Sequence, residues 1–184
     1  MALLESRPPE IGSSMPDFKL ESVEGKTYSA SDFSENNGLV VMFLCGHCPY
    51  VLAVEDRILD LARRYQEKGI GFVAICSNDP AQNEKDKPEA LLERVKQKDY
   101  PFPYLIDDTQ EIARKFDAVC TPDIFVYDQN RNLYYHGRID DSPKDPSAAT
   151  SHDLRNALEK LIKNEAPPSE QVPSMGCSIK WKGD

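Results

Sequence analysis

The chain has 184 residues, 40% of them hydrophobic and 29% charged, a length and composition that one globular domain fills. No window approaches the roughly 18 apolar residues a membrane span needs, and the start, from Met1 to Pro9, lacks a basic cap followed by a long apolar stretch, so neither membrane insertion nor secretion is expected and a cytoplasmic protein is. With 22 Lys and Arg against 31 Asp and Glu, a formal charge of −9 would repel a phosphate backbone, so no nucleic-acid or membrane partner is expected.

Residues 1–16 are rich in Pro and Ser, and the first ordered signal is the alternation of Phe18 and Leu20, a short strand. Gly25 marks a turn, Thr27 and Tyr28 continue as the second arm of a hairpin, and Ser31 to Phe33 lead into a helical turn. Leu39 to Leu44 is apolar without alternation, the mark of a strand buried on both faces. Val51, Val54, Ile58, Leu61 and Tyr65 recur at helical spacing, predicting an amphipathic helix over 46–67 that ends near Gly69.

A second buried strand follows over 70–76, then a more exposed helix after Pro88 carrying Leu91, Leu92 and Val95. Between them, 83–87 reads as a solvated mixed-charge loop. Residues 102–106 form a third short strand, and Asp108 with Glu111 has the form of a capping box opening a helix with Ile112, Ala113 and Phe116. Residues 124–127 and 133–136 flank a polar turn as a hairpin, with one ring of Tyr134 and Tyr135 inward and the other outward, and a last helix spans 151–164.

Strands alternating with helices, then a hairpin and a final helix, make an α/β fold with a mixed central sheet flanked by helices, an N-terminal hairpin and an extended tail. The domain is assigned to 1–165. The proline-bearing segment 166–184 is a tail packing on or near it, because Pro167, Pro168 and Pro173 cannot continue the helix.

Five cysteines are an odd number, too few for a disulfide scaffold, which leaves redox or metal chemistry. Cys45-Gly46-His47-Cys48 stands where a buried strand becomes a helix. The unpaired N–H groups and positive dipole end of that helix favour a thiolate, placed on Cys45 as the residue nearer the exposed end. Cys48, a turn further in, would resolve a mixed disulfide. His47 adds a tunable positive charge that favours the reduced pair and places its potential between roughly −270 and −180 mV. Zinc binding or two inert thiols are the alternatives, but a structural zinc site commonly needs four ligands and the chain has no second such pair.

On these residues, with Pro16 to Phe18 before the hairpin and Thr121-Pro122-Asp123 before the late one, the chain resembles the thioredoxin superfamily. Cys45 to Tyr50 and the ending Gly176 to Lys182 make it similar to the peroxiredoxin-like branch related to alkyl-hydroperoxide-reductase and thiol-specific-antioxidant redoxins. The resemblance implies a thioredoxin fold and a thiol:disulfide oxidoreductase working through the Cys45–Cys48 disulfide, with no other cofactor and no metal. Gly46, Thr121 and Pro122 would border the substrate, the Thr121–Pro122 bond being cis. The partners implied are a disulfide-bearing protein or a small thiol or peroxide, with a thiol or a flavoprotein-linked system as reductant.

Leu44 replaces the Trp that thioredoxin places before the first cysteine, and Val40 to Leu44 hold no counterpart of its buried acid. Peroxiredoxins carry Pro-x-x-x-Thr/Ser-x-x-Cys, whereas the matching places upstream of Cys48 are Val41 and Cys45. A thiol peroxidase is therefore an alternative function, and a Cu(I)-handling protein another, since soft thiolates suit that ion.

Among the remaining candidates, Cys76 is inert packing at a strand end and Cys120 a partly buried bystander near the active surface. Cys177, expected to be exposed in the tail, is the candidate third redox thiol. Asp123 is either a substrate-facing group or a solvated loop acid. His136 and His152 are surface or packing residues.

Overall fold

The computed structural model describes residues 3–183. Strands β1 (Leu3–Glu5), β2 (Lys19–Ser22), β3 (Thr27–Ser29) and β4 (Gly38–Phe43) precede helix α1 (Pro49–Gln66). Strand β5 (Ile70–Cys76), helix α2 (Pro88–Lys98), strand β6 (Tyr104–Ile106) and helix α3 (Glu111–Lys115) follow. The chain then forms β7 (Cys120–Thr121), β8 (Asp123–Asp128), β9 (Leu133–His136), α4 (Asp153–Ile162) and β10 (Met175–Ser178). Seven strands make a mixed sheet in the order β3-β2-β6-β5-β4-β8-β9, and a second, three-stranded sheet has the order β1-β10-β7.

The unalternating run of β4 is explained by its central place, parallel to β5 and antiparallel to β8. Side chains of period two send Val40 and Met42 to one layer and Leu39, Val41 and Phe43 to the other. The first layer is closed by α1, α2 and α4, through Val54, Ile58, Leu91 and Leu158 among others. The second is closed by α3 and the N-terminal hairpin, where Phe43, Phe116 and Phe125 meet edge to face at 5.5–5.9 Å between centroids. Crossover through α1 delivers β5 beside β4, so the end of β4 and the start of α1 fall at the middle of one sheet edge.

Several local expectations change. Helix α1 opens at Pro49 with Cys48 as its N-cap, not at residue 46, because proline is pre-organised for the first helical position while Gly46 and His47 stay outside the helix. The box assigned to Asp108 is formed instead by the preceding acid. Asp107 is buried, and its carboxylate accepts from the amides of Ala113 at 2.9 Å and Ile112 at 3.3 Å and from Ser77 Oγ at 2.7 Å, while Asp108 is exposed. Tyr134 and Tyr135 are both buried, because the hydroxyls reach the carbonyls of Glu165 and Arg138 and the tail covers what would have been an outer face.

The termini depart most from expectation. Residues 3–5, within the segment without an ordered signal, pair with β10, and β10 pairs with β7. The tail is thus a strand on the body and not a free appendage. Beyond it Trp181 lies under the Arg114 guanidinium, 4.3 Å from the ring.

Removing the Asp107 carboxylate leaves two amides and a hydroxyl without their buried acceptor. Asp107→Ala should cost about 2 kcal/mol in urea unfolding with an unchanged m-value, whereas Asp108→Ala should stay within about 0.5 kcal/mol.

Candidate active site

Cys45 and Cys48 lie where β4 gives way to α1, and both are buried, at 2% and 0% exposure. All five cysteines are free. Across from the pair stands the cis Thr121–Pro122 bond at the end of β7. Thr121 Oγ1 is 3.2 Å from Cys45 Sγ, and the Thr121 carbonyl is 3.2 Å from Cys48 Sγ and accepts from that thiol when it is protonated.

Strand β10 completes the site. Gly176 and Cys177 run along Thr121 and Pro122, and a Cβ on Gly176 would fall 1.9 Å from the Thr121 carbonyl oxygen, so only glycine permits this approach. Cys177 is buried, not exposed as expected, because the strand that carries it is covered by β1 on one side and by β7 on the other. Its Sγ lies 2.6 Å from Cys48 Sγ.

These surroundings separate the thiols. Cys48 is drawn down to about 4, chiefly by the hydrogen bond from the Cys45 thiol, helped by the Cys177 thiol and by the amides of Val51 and Cys177. Cys48 is the N-cap residue of α1, so the helix end lies nearer to Cys48 than to Cys45. Cys45 is pushed well up, first by its bond to Cys48, then by burial and by the negative charge of Asp86. Burial together with the Cys48 sulfur pushes Cys177 up to about 12. The directions favour negative charge on Cys48 over Cys45 and Cys177.

His47 does not stand alone. Its Nδ1 is 2.7 Å from Asp86 Oδ2, and Asp86 Oδ1 accepts from the Gly46 amide at 2.7 Å. Asn78 Nδ2 donates to Asp86 Oδ2 at 2.9 Å, and its Oδ1 accepts from the Lys180 amide at 2.9 Å, tying the network to the tail. Asp86 is buried, which overturns the reading of 83–87 as a solvated loop. The 3-10 turn Glu84–Asp86 folds its acid inward while Glu84 and Lys85 face water. Mixed charge in the sequence concealed this residue, and its spacing from the cysteines offered no signal.

Among the described residues, Cys45, His47 and Asp86 are the one group of three such side chains near enough to hold a cation, their atoms lying within 4.8 Å of one another. Both Asp86 oxygens are already engaged by Gly46, His47 and Asn78, so the group is built as a hydrogen-bond network.

The other candidates make no hydrogen bond to the motif sulfurs. Cys76 is buried at the end of β5, with burial pushing it up to about 12. Cys120 is fully buried in β7, opposite Ser178, and not partly exposed, because β10 covers it. Asp123 is neither substrate-facing nor solvated. It is buried and 2.6 Å from His136 Nε2, since the first residue of β8 turns into the sheet and not toward water. His136 is a packing residue, its ring stacked 3.9 Å from that of Phe125, and His152 is the N-cap of α4.

Among the described residues, no helix is long and apolar enough to cross a membrane. A thiol-disulfide oxidoreductase ResA from Bacillus thuringiensis is 27% identical over 121 residues, which are 66% of this chain and 65% of that protein. The chain therefore spans somewhat less than two thirds of that relative. A crystal structure of an uncharacterized conserved protein from Geobacillus kaustophilus matches with TM-score 0.95 and 40% identity over 100% of this chain and 98% of the other. The thioredoxin domain of a thiol-disulfide oxidoreductase from Bacteroides vulgatus matches with TM-score 0.65 and 16% identity over 84% of this chain and 99% of the other, so the fold is the thioredoxin fold. The AhpC/TSA family model covers residues 11–136. With the sheet, the buried cysteine pair and the Thr121–Pro122 loop in place, this match makes the chain a member of the AhpC/TSA family, in the peroxiredoxin-like branch of the thioredoxin superfamily.

Proposed function

We propose that this chain is a thiol:disulfide oxidoreductase whose exchange centre is Cys45, Cys48 and Cys177, with Cys48 as the shared sulfur. The observation that carries the reading is the position of Cys48 Sγ at the N-cap of α1, 2.6 Å from Cys177 Sγ and hydrogen-bonded by the Cys45 thiol. A sulfur held as thiolate at neutral pH is the species that attacks a disulfide, and a protonated thiol beside it closes the second step.

This reading reassigns the two roles in the motif. The sequence favours Cys45 as nucleophile on the premise that it lies nearer the helix end, whereas Cys48 occupies that place. Cys48 then attacks the partner disulfide, and Cys45 or Cys177 displaces the bound partner. Gly46, Thr121 and Pro122 form the wall against which a partner would lie once β10 moves aside, since both motif sulfurs are buried and Cys177 of that strand lies against Cys48. The partner class remains a protein disulfide or a small disulfide, with a thiol or flavoprotein-linked reductant.

Peroxide reduction is a second reading, favoured by the placement of Cys48 at a helix N-terminus. There the thiolate attacks a peroxide oxygen, giving Cys48 sulfenic acid and an alkoxide or hydroxide, which takes a proton from water and leaves as alcohol or water. Cys45 or Cys177 then condenses with it to a disulfide and water.

Insulin reduction driven by dithiothreitol tests the first reading. The full chain should accelerate it, Cys48→Ser should fall to the uncatalysed rate, and Cys45→Ser should retain less than about a tenth of the activity. No acceleration by the full chain, with rapid loss of hydrogen peroxide at equal enzyme, would move the assignment to the peroxidase reading.

The sulfur that ionises is visible without modifying it. Thiolate absorbance of the reduced protein should rise with a midpoint near pH 4, vanish in Cys48→Ser, and persist at a higher midpoint in Cys45→Ser. Because the folded Cys48 value lies below the unfolded thiol value of about 8.5, the unfolded chain binds more protons between the two. Cys48 therefore stabilises the reduced fold fully above about pH 8.5, and that contribution is lost as pH falls through about 4. Unfolding midpoints of the reduced wild type and Cys48→Ser should accordingly converge as the pH is lowered.

A further inference from the structure

Thr121 touches both motif cysteines, its Oγ1 3.2 Å from Cys45 Sγ and its carbonyl oxygen 3.2 Å from Cys48 Sγ. A chain that pairs with β7 at Thr121 therefore has a residue beside the motif sulfurs. Strand β10 is such a chain. Its Cys177 is the partner of Thr121 in the antiparallel register, and Cys177 Sγ lies 2.6 Å from Cys48 Sγ. The polypeptide that brings a sulfur to Cys48 by backbone pairing is thus the protein's own tail.

This strand is fastened at both edges and beyond its end. The Ile179 amide donates to the Val119 carbonyl at 3.0 Å, and the Lys180 carbonyl accepts from the Asp79 amide and from Gln110 Nε2, each at 2.8 Å. On the outer edge the Ser6 amide donates to the Ser174 carbonyl at 2.8 Å, and Ser6 Oγ accepts from the Ser174 amide at 2.9 Å. A second polypeptide could take the Thr121 edge only by replacing these bonds with its own, because buried backbone groups left without partners are costly.

A smaller opening lies beside the strand. A cleft of about 170 Å³ is lined by Tyr50, Val54, Pro122, Ile139, Val172 and Met175 among others. It borders the segments that carry the sulfurs. Tyr50 is two residues past Cys48, Pro122 follows Thr121, and Met175 precedes Cys177 by two residues, which puts it on the same face of β10. The volume is below the roughly 300–1,000 Å³ of pockets for drug-sized ligands. Charged groups of its wall are engaged elsewhere: Arg138 with Asp153, Asp140 with Arg57, and Asp141 with the amides of Thr150 and Ser151. Glu5 is exposed, and Lys144 Nζ sits 5.7 Å from the Tyr50 ring, one charge of each sign around an apolar wall. Such a wall suits an uncharged aliphatic group.

We propose that the exchange centre takes small, uncharged disulfides through this cleft, and that β10, by filling the strand position at Thr121, makes polypeptide disulfides the poorer substrates. The proposal rests on the exchange reading above and narrows its partner class. The Cys48 thiolate attacks R–S–S–R, whose S–S bond breaks to give Cys48–S–S–R and R–S⁻, and R–S⁻ takes a proton from water. The Cys45 or Cys177 thiol then attacks the Cys48 sulfur. An internal disulfide forms, and the attacking thiol's proton leaves with the second R–S⁻ as R–SH. In total one thiol, one thiolate, one disulfide and one proton become one internal disulfide and two small thiols. Insulin reacts by the same steps, at the pace at which β10 is released.

Oxidation of the fully reduced, full-length chain by hydroxyethyl disulfide, oxidised glutathione and insulin tests this, each rate constant being divided by the one that dithiothreitol gives with the same disulfide. The normalised constants should fall in that order, with hydroxyethyl disulfide at least about tenfold above insulin. This order is read on the unsubstituted chain and needs no variant to fold. Ser6→Pro, which takes the Ser6 amide and hydroxyl from the edge of β10, should raise the insulin constant at least about threefold and leave hydroxyethyl disulfide within about twofold. Val172→Trp, at a wall position 43% exposed, fills the cleft from its rim. It should slow hydroxyethyl disulfide at least about fivefold and leave insulin within about twofold. Insulin reacting as fast as hydroxyethyl disulfide, or Val172→Trp slowing both alike or neither, would overturn the selection by cleft and strand. Reaction with none of the three disulfides would overturn the exchange reading itself.

Discussion

The close passage of β10 over Thr121 and Pro122 is the constraint on which the site depends. It brings the backbone of Gly176 to a distance that no side chain would allow, and in doing so places Cys177 against Cys48. The approach has support on both sides. β1 pairs with the outer edge of β10, the Ser174 amide donates to Ser6 Oγ, and beyond the strand Lys180 is held by Asn78 and Gln110. A two-residue strand such as β7 could not hold the tail alone, so the N-terminal residues and the loop after β5 share in positioning it.

One consequence is electrostatic. Three thiols packed together out of water do not ionise together, because each charge raises the cost of the next. The sulfur that takes the charge is the one with the most donors, and Cys48 has two neighbouring thiols and two backbone amides. Cys45 is pushed up first by its bond to Cys48, and Cys177 first by burial. On the exchange reading, this arrangement would separate the attacking sulfur from the resolving thiols. It also sets Asn78 between the tail and Asp86, so displacement of β10 reaches the His47 network through a single amide side chain.

Much of this was legible in the sequence. The buried run of β4 and the helical period of α1 placed the cysteine pair at the junction between them, because burial and periodicity are local properties of a chain. The resemblance carried by Thr121 and Pro122 supplied the opposite wall. What stayed hidden depends on contacts between distant residues. Asp86 lies among charged neighbours that do face water, and only the close approach of Gly46 to Lys85 turns it inward. Leu3 to Glu5 became a strand because β10 offered an edge, and β10 lies 170 or more residues away along the chain. The one-residue difference between Asp107 and Asp108, and the two-sided burial of Tyr134 and Tyr135, likewise follow from neighbours that a local pattern does not reveal. Cys48 stands at the helix end because Pro49 takes the first helical position, a signal that the sequence itself carries.

The central claim is that Cys48 is common to every disulfide the protein forms within itself. Mass-spectrometric mapping of the wild-type chain, poised in glutathione buffers of increasing oxidation and quenched in acid, examines this directly. The account predicts Cys45–Cys48 and Cys48–Cys177 as the two internal disulfides, exchanging in proportion with each other, with Cys76 and Cys120 unlinked. A dominant Cys45–Cys177 or Cys120–Cys177 bond, with Cys48 left as a free thiol, would contradict it.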